Sequence, residues 1–329
     1  MHQMNFKILY RTKSNSVKIW NPNDLHFVSR PKIFHQNVKN VSISSTNLIA
    51  LSSINNNIYL YDTNTGLSKY FIYGEEKIKH IYFSPSSKYL VCHYNNDTLF
   101  GTNVKIYDYQ NNKLVFNSEN ILPKLSFSHD EKQIIYGYFN VDKINLKTYH
   151  FEEKKYDNIY EIDNLTYYYN FNIKWSYCGN YLVANVDNKL YLWNNKFDIL
   201  NEILFQSEEN YCGTINVVSF SPDNKQVIIG FFSGLIKILD VESGDVIILQ
   251  DIQDGNKLES INCIEFSKCE KYIIIGKSNG VIDIWDYKNE IICKSLNDLD
   301  SNFKDEMDLY NDYMMSTGNS LEIIQLSIL

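Results

Sequence analysis

Alanine and arginine are almost missing from this chain: 329 residues include two Ala (Ala50, Ala184) and two Arg (Arg11, Arg30). So few strong helix formers, beside 26 Tyr and 18 Phe, argue against an all-helical protein. Long apolar runs are missing too. No stretch approaches the roughly 18 apolar residues that a membrane-spanning helix needs, so none is expected. The opening Met1-His2-Gln3-Met4-Asn5-Phe6-Lys7 has neither the apolar core nor the cleavage site of a secretory leader. The six cysteines form no C-x-x-C pair and keep no regular spacing. Cys92, Cys263 and Cys293 fall inside apolar strand patterns, where a reduced thiol acts as a small hydrophobe. A reduced, soluble, intracellular protein is expected, cytoplasmic rather than nuclear. Basic charge is in deficit: 31 Lys and Arg against 39 Asp and Glu give −8 and a pI near 5.4. That balance argues against a general nucleic-acid binder, and no direct DNA binding is expected. The one large excess is 41 Asn, which fits an AT-rich coding sequence and by itself implies no function. Three N-x-[ST] sequons, at Asn40, Asn96 and Asn164, are what such a composition produces by chance.

What the chain does have is a repeat. An apolar or aromatic residue precedes Ser at the end of an alternating run six times: Ile43-Ser44, Phe83-Ser84, Phe127-Ser128, Trp175-Ser176, Phe220-Ser221 and Phe266-Ser267. The Ser-to-Ser spacings are 40, 44, 48, 45 and 46 residues. Periods of this length indicate a repeat architecture. Each unit follows one plan, seen clearly in 215–250. An alternating strand ends in Ser221-Pro222-Asp223-Asn224, a turn sequence. A continuous apolar run follows at 226–232, then a Ser233-Gly234 turn, a strand at 235–240, the turn 242–245 and a strand at 246–249. Four short strands joined by turns read as an antiparallel meander. One such sheet cannot cover both of its faces, whereas radial repetition covers each with its neighbour, giving a β-propeller.

The run 260–296, SINCIEFSKCEKYIIIGKSNGVIDIWDYKNEIICKSL, resembles a WD40 repeat through Phe266-Ser267, the strand 272–276, the Ser278-Asn279-Gly280 turn and Ile282-Asp283-Ile284-Trp285-Asp286. Other units degrade the Trp-Asp pair to Trp20-Asn21, Tyr61-Asp62, Tyr107-Asp108, Trp193-Asn194 and Leu239-Asp240. The resemblance extends over essentially the whole chain. It implies an all-β, WD40-like propeller of four-stranded antiparallel blades, seven by the habit of the family, with eight as the alternative count. The expected units are 1–37, 38–75, 76–119, 120–165, 166–210, 211–255 and 256–297, with closing strands at 309–329, all in a single domain 1–329. The chain departs from the family in one respect. No unit carries the Gly-His dipeptide, so the family's Asp–His–Ser–Trp hydrogen-bond network is expected to be absent, and stability to rest on apolar packing and strand ladders.

Tests for chemistry return little. Gly276-Lys277-Ser278 looks like the tail of a phosphate-binding loop, but Lys271 replaces the leading Gly and the context is strand–turn–strand with no helix to open. There is no H-E-x-x-H, no zinc spacing and no G-x-S-x-G elbow. Asp62 and Asp108 recur at one repeat position and read as turn formers rather than a catalytic dyad. No enzyme activity and no cofactor is expected. Loops on a rigid ring carry function most often. The WD40 resemblance implies that the loops between second and third strands and those between blades hold a peptide or domain of a protein partner. The matching candidates are Asn56, Phe100, Asp187, Phe232, Ser233, Lys277 and Asn279, each of which also reads as an ordinary turn or rim residue. Phe100 stands in the polar insertion 93–103, HYNNDTLFGTN. Tyr167-Tyr168-Tyr169 reads as core before loop or contact surface, the segment 298–308 as a solvated loop, and 152–157 as a mixed-charge surface hairpin. The expected function is a non-catalytic scaffold for protein–protein interaction. The alternative is a ribosome-associated propeller, because 81–109 and 173–182 are similar to parts of translation initiation-factor propellers. A poor match of 274–288 to the Trp-Asp box of ubiquitin-ligase substrate receptors is a partner reading within the scaffold class.

Overall fold

In the computed structural model the described residues are 38–44, 46, 48–62, 65, 67–74, 76–96, 101–140, 143–163, 170–205, 213–250, 259–266, 271–278, 281–286, 289 and 291–296, with the backbone of 8–11 and 17–20. They are all β and turn, built mainly from four-stranded antiparallel sheets, an architecture compatible with a propeller-like fold. The residues fall into two compact units, within Met1–Pro123 and within Lys124–Leu321.

In the first unit, β1 (Ile8–Arg11) pairs with β2 (Val17–Trp20) as an antiparallel hairpin. The next sheet runs in order through β3 (Val38–Ile43), β4 (Leu48–Ser53), β5 (Ile58–Asp62) and β6 (Ser68–Ile72). The following strands are β7 (Ile78–Phe83), β8 (Tyr89–Asn95), β9 (Thr102–Asp108) and β10 (Lys113–Phe127). The strand β10 is 15 residues long. Where the sequence suggests a unit boundary at 119/120, the chain continues as a strand, with Asn120 at φ 57° and a register break between Ser118 and Ile121.

In the second unit, β11 (Gln133–Asn140), β12 (Lys143–His150) and β13 (Lys155–Asp163) follow β10 in strand order. Then come three four-stranded sheets. The first is β14 (Phe171–Trp175), β15 (Tyr181–Val186), β16 (Lys189–Asn194) and β17 (Ile199–Leu204). The second is β18 (Ile215–Phe220), β19 (Gln226–Phe231), β20 (Ile236–Asp240) and β21 (Val246–Gln250). The third is β22 (Ile261–Phe266), β23 (Tyr272–Lys277), β24 (Ile282–Asp286) and β25 (Ile291–Leu296). The segments 22–37, 164–169 and 297–329, with the tyrosine run and the closing strands expected there, lie outside the described residues.

The repeated serine now has a physical role. The hydroxyls of Ser84, Ser128, Ser176 and Ser221 each accept the N–H of the residue that opens the second strand, at 2.9–3.2 Å. The serine's own N–H bonds the carbonyl of that same residue. Three residues after each serine the chain turns through left-handed φ, at Ser87, Glu131, Gly179 and Asn224. Ser44 closes a turn one residue shorter onto Leu48. At the other hairpin, Asp62, Asp108, Asn194, Asp240 and Asp286 accept backbone N–H groups two to four residues on. Asp62 and Asp108 are thus the turn formers expected from sequence.

Apolar slabs lie between successive sheets. Val183, Leu190, Leu192, Phe220, Val227, Ile229 and Phe231 fill the space between the sheets of β14–β17 and β18–β21. Ile228, Ile238, Ile264, Ile273 and Trp285 do the same between β18–β21 and β22–β25. In the first unit Ile58, Leu60, Ile81, Phe83 and Leu90 join β3–β6 to β7–β10. Polar ties reinforce the slabs along the first strands. The Trp175 N–H reaches the Ser126 hydroxyl at 3.0 Å, and the Phe83 N–H reaches Ser42 at 3.1 Å. At the opposite end of the first strands, Asn216 donates to the Ile261 carbonyl and the Asn262 amide oxygen at 2.9 and 3.0 Å.

The indole Nε1 atoms of Trp175, Trp193 and Trp285 are buried with no hydrogen-bond partner. Cys92 and Cys263 are buried, as the strand pattern implies. Cys293 is exposed, because it is the extra residue of a bulge on the outer strand β25. Every fourth strand carries such a bulge, at Phe71, Val115, Ile159, Leu200, Leu249 and Cys293.

Removing the serine hydroxyl leaves a strand-opening amide without its buried acceptor. Ser221→Ala and Ser84→Ala are each expected to lower unfolding free energy by about 1–3 kcal/mol in urea denaturation. A loss no larger than that from Ser243→Ala, at an exposed turn, would contradict this role for the serine.

Candidate functional site

The sequence candidates concentrate where second strands turn into third strands. In the β19–β20 turn the Phe231 N–H bonds the Leu235 carbonyl, and Gly234, at φ 86°, donates to the Phe231 carbonyl, both at 3.0 Å. The β4–β5 turn is built identically. Asn56, at φ 62°, donates to the Ser53 carbonyl at 3.0 Å. Asn56 therefore stands where Gly234 stands, and Asn55 is the counterpart of Ser233. Asparagine tolerates this left-handed position better than most side chains. Its Oδ1 accepts the Ile78 N–H at 3.3 Å, joining the turn to the next sheet.

Asp187 occupies a tighter turn, at φ 51°. Its Oδ1 accepts the Asn170 N–H at 3.0 Å, and its own N–H reaches the Asn170 carbonyl at 2.9 Å. Asp187 and Phe232 then grip one peptide group from its two sides. The Ile215 N–H donates to the Asp187 carbonyl at 2.9 Å, and the Phe232 N–H donates to the Thr214 carbonyl at 3.0 Å. The backbone under Phe232 is fixed, while its ring is 49% exposed. Ser233 supports the same turn, its hydroxyl accepting the Leu235 N–H at 3.5 Å.

Lys277 lies at the end of β23, with its ammonium 2.6 Å from the buried Asp283 carboxylate. Strand geometry on both sides of Gly276-Lys277 removes any likeness to a phosphate loop. The neighbouring Ser278 donates its N–H to the Ser260 carbonyl and its hydroxyl to Glu259 at 2.8 Å. Phe100 and Asn279 lie outside the described residues. The insertion around Phe100 is shorter than expected, since β8 extends to Asn95 and β9 begins at Thr102.

Two residues missed from sequence share the turn end with Asn56 in the first unit. Ile54 is 55% exposed and Tyr73 81%. Ile54 is legible afterwards as a lone aliphatic among Ser53, Asn55 and Asn56. Tyr73 carries no local signal, because it follows an apolar strand whose pattern it continues.

This end of the sheets presents fixed side chains rather than reactive ones. Lys277 is paired, the Asp187 carboxylate caps a backbone amide, and the Asn56 side chain accepts the Ile78 N–H. Among the described residues, no three His, Cys, Asp or Glu groups are placed to hold a metal ion. No helix among them is long and apolar enough to cross a membrane. Two sequon asparagines have committed amides, Asn40 on the Ser52 hydroxyl and Asn96 on Asn120. Neither a scan against protein-family models nor a search of curated proteins finds a match to this chain.

Electrostatics make the opposite turns acid-sensitive. The Ser243 N–H, followed by that of Glu242, holds the Asp240 carboxyl below its ordinary value despite partial burial. A pKa lowered on folding stabilises at pH values above the unfolded carboxylate value near 4, and the gain is lost as pH falls through the lower folded value. Asp240→Asn keeps a turn-forming side chain, as Asn194 does, and removes the titration. The expected outcome is a slightly lower melting temperature at pH 7 that converges with that of the unaltered protein toward pH 2, and so a shallower decline between pH 5 and 2. An acid limb as steep as that of the unaltered protein would show that Asp240 contributes nothing to it.

Proposed function

We propose that this chain is a divergent WD40-type propeller, with seven blades and eight as the alternative count, that acts as a non-catalytic scaffold for protein partners inside the cell. The reading is supported by sheets of one strand plan following one another in sequence, with hydrogen bonds joining first strands β3 to β7 within the first unit and β14 to β18 and β18 to β22 within the second. Its partner surface is the end formed by the turns between second and third strands. One observation carries this: Phe232 is half-exposed on a backbone fixed by two hydrogen bonds through the Thr214–Ile215 peptide. A large ring presented without backbone freedom loses little entropy on binding, and aromatic anchors dominate interface energetics. Asp187 and Ser233 shape the base on which the ring stands, and Lys277 with Asp283 fixes the neighbouring turn. Enzyme chemistry is disfavoured because the polar side chains at this end are engaged in holding the turns.

The test is affinity purification of the tagged chain and its Phe232→Asp variant from the source cells, with and without RNase and high salt. A salt-resistant protein set, lost from the variant at unchanged circular dichroism, is the expected result. Equal recovery from both forms removes Phe232 from the interface. Ribosomal subunits released by RNase or salt would favour the ribosome-associated reading instead.

A further inference from the structure

The exposed ring of Phe232 stands on a turn whose root is Phe231. The Phe231 N–H bonds the Leu235 carbonyl, and the Phe231 carbonyl accepts the Gly234 N–H, so the β19–β20 turn hangs from this one residue. Its side chain is fully buried. The ring meets that of Phe205, the residue after β17, edge to face, with centroids 5.3 Å apart and planes at 81°. Phe205 is itself fixed by Asn188. The Phe205 N–H donates to the Asn188 carbonyl, and Asn188 Nδ2 donates to the Phe205 carbonyl, both at 3.0 Å. Lys237 lies on β20, the strand that leaves the turn, and is half-buried. Its ammonium is 5.0 Å from the Phe205 ring centroid and 5.9 Å from that of Phe231. One cation therefore joins the preceding sheet to both strands of the turn.

The next sheet carries a lock across the same diagonal. Gly230 pairs with Ile236 and Gly276 with Ile282, so Phe231 and Lys237 correspond to Lys277 and Asp283. There the contact is an ion pair at 2.6 Å on a buried carboxylate. Two consecutive sheets thus place a charged contact under the same turn by different chemistry. An ammonium over an aromatic face is attracted by the ring quadrupole, more strongly where it is partly desolvated.

We propose that Lys237 is a positioning residue for Phe232, holding the Phe231 root and with it the ring that a partner meets. The proposal rests on the reading of Phe232 as the anchor, and its test reads the turn without a partner.

In the full chain, the Lys237 ε-methylene protons are expected upfield of their ordinary position in the proton NMR spectrum, because the ammonium end lies over two rings. Lys237→Met keeps most of the stem and removes the charge. It is expected to speed native-state amide exchange at Phe232 and Gly234 by about two- to fivefold, with Lys237→Arg restoring the slow rate. The Asn56 amide, in the identically built β4–β5 turn, is the reference and should not change. Unaltered exchange at Phe232 in Lys237→Met overturns the proposal. So does an acceleration that Asn56 shares, which is a general loss of stability. Unshifted ε-methylene protons count equally against it, with no variant needed. Capture of the Phe232-dependent protein set should also fall in Lys237→Met, and undiminished capture overturns the positioning role. If Phe232→Asp leaves capture intact, the anchor reading fails, while the exchange rates still decide whether Lys237 holds the turn.

Discussion

Five first strands among the described residues end by folding a serine hydroxyl back over the turn that follows, and the geometry of those sheets depends on that contact. The hydroxyl and the N–H of Ser221 together hold both backbone groups of Gln226, so the second strand begins in only one register. The left-handed residue three places on, Asn224, reverses the chain, and its Oδ1 also accepts the Cys178 N–H of the preceding sheet at 3.0 Å. Register then decides which residues meet across the sheet. A slip of one position in β19 would turn Val227 and Ile229 away from the slab they share with Leu190 and Phe205 and toward the opposite slab. A buried polar contact of modest strength thereby selects between two complete hydrophobic arrangements.

The same economy of polar groups joins one sheet to the next. Side-chain amides donate and accept at once, so they can pass a hydrogen bond along a row of sheets. Asn170 donates to the Ile215 carbonyl and to Asn216, Asn172 to Asn185 and the Asn216 carbonyl, and Asn216 to Ile261 and Asn262. Buried amides with every donor directed add directionality to an otherwise apolar contact. The tryptophans show the other solution. Trp193 and Trp285 place rings in the slabs while their N–H groups find no acceptor, so their contribution is packing area.

Much of this was legible in the sequence. The six apolar-Ser pairs, the Ser-Pro-Asp-Asn turn and the strands of 215–250 all reflect local chemistry, and β18 to β21 fall where the pattern puts them. The acids at Asp62 and Asp108 were readable for the same reason, since an Asx turn involves residues only a few positions apart. What was not legible depends on contacts across sheets. The excess of asparagine reads as compositional bias, yet Asn172, Asn185, Asn216 and Asn262 form a buried network whose bonded partners are up to 46 residues apart. Bulges are also silent in sequence. The exposure of Cys293 follows likewise from a bulge that its apolar neighbours do not announce.

The bulges bear finally on where a partner can bind. The outer strands expose Ile199, Leu204, Ile247, Ile248 and Ile292, and exposed aliphatics on an edge invite pairing with another strand. Each described fourth strand, however, has at least one residue more than its partner strand over the same length. An added strand would meet an interrupted row of backbone donors and acceptors, with its side chains thrown out of phase at the bulge. The edges are apolar but poor templates. Recognition by main-chain pairing is therefore disfavoured at the rim, which leaves side-chain recognition at the turns as the better-supported mode. There the N–H groups of Phe231, Phe232 and Gly234 are already bonded within the chain, so burying a ring such as that of Phe232 leaves those three groups paired.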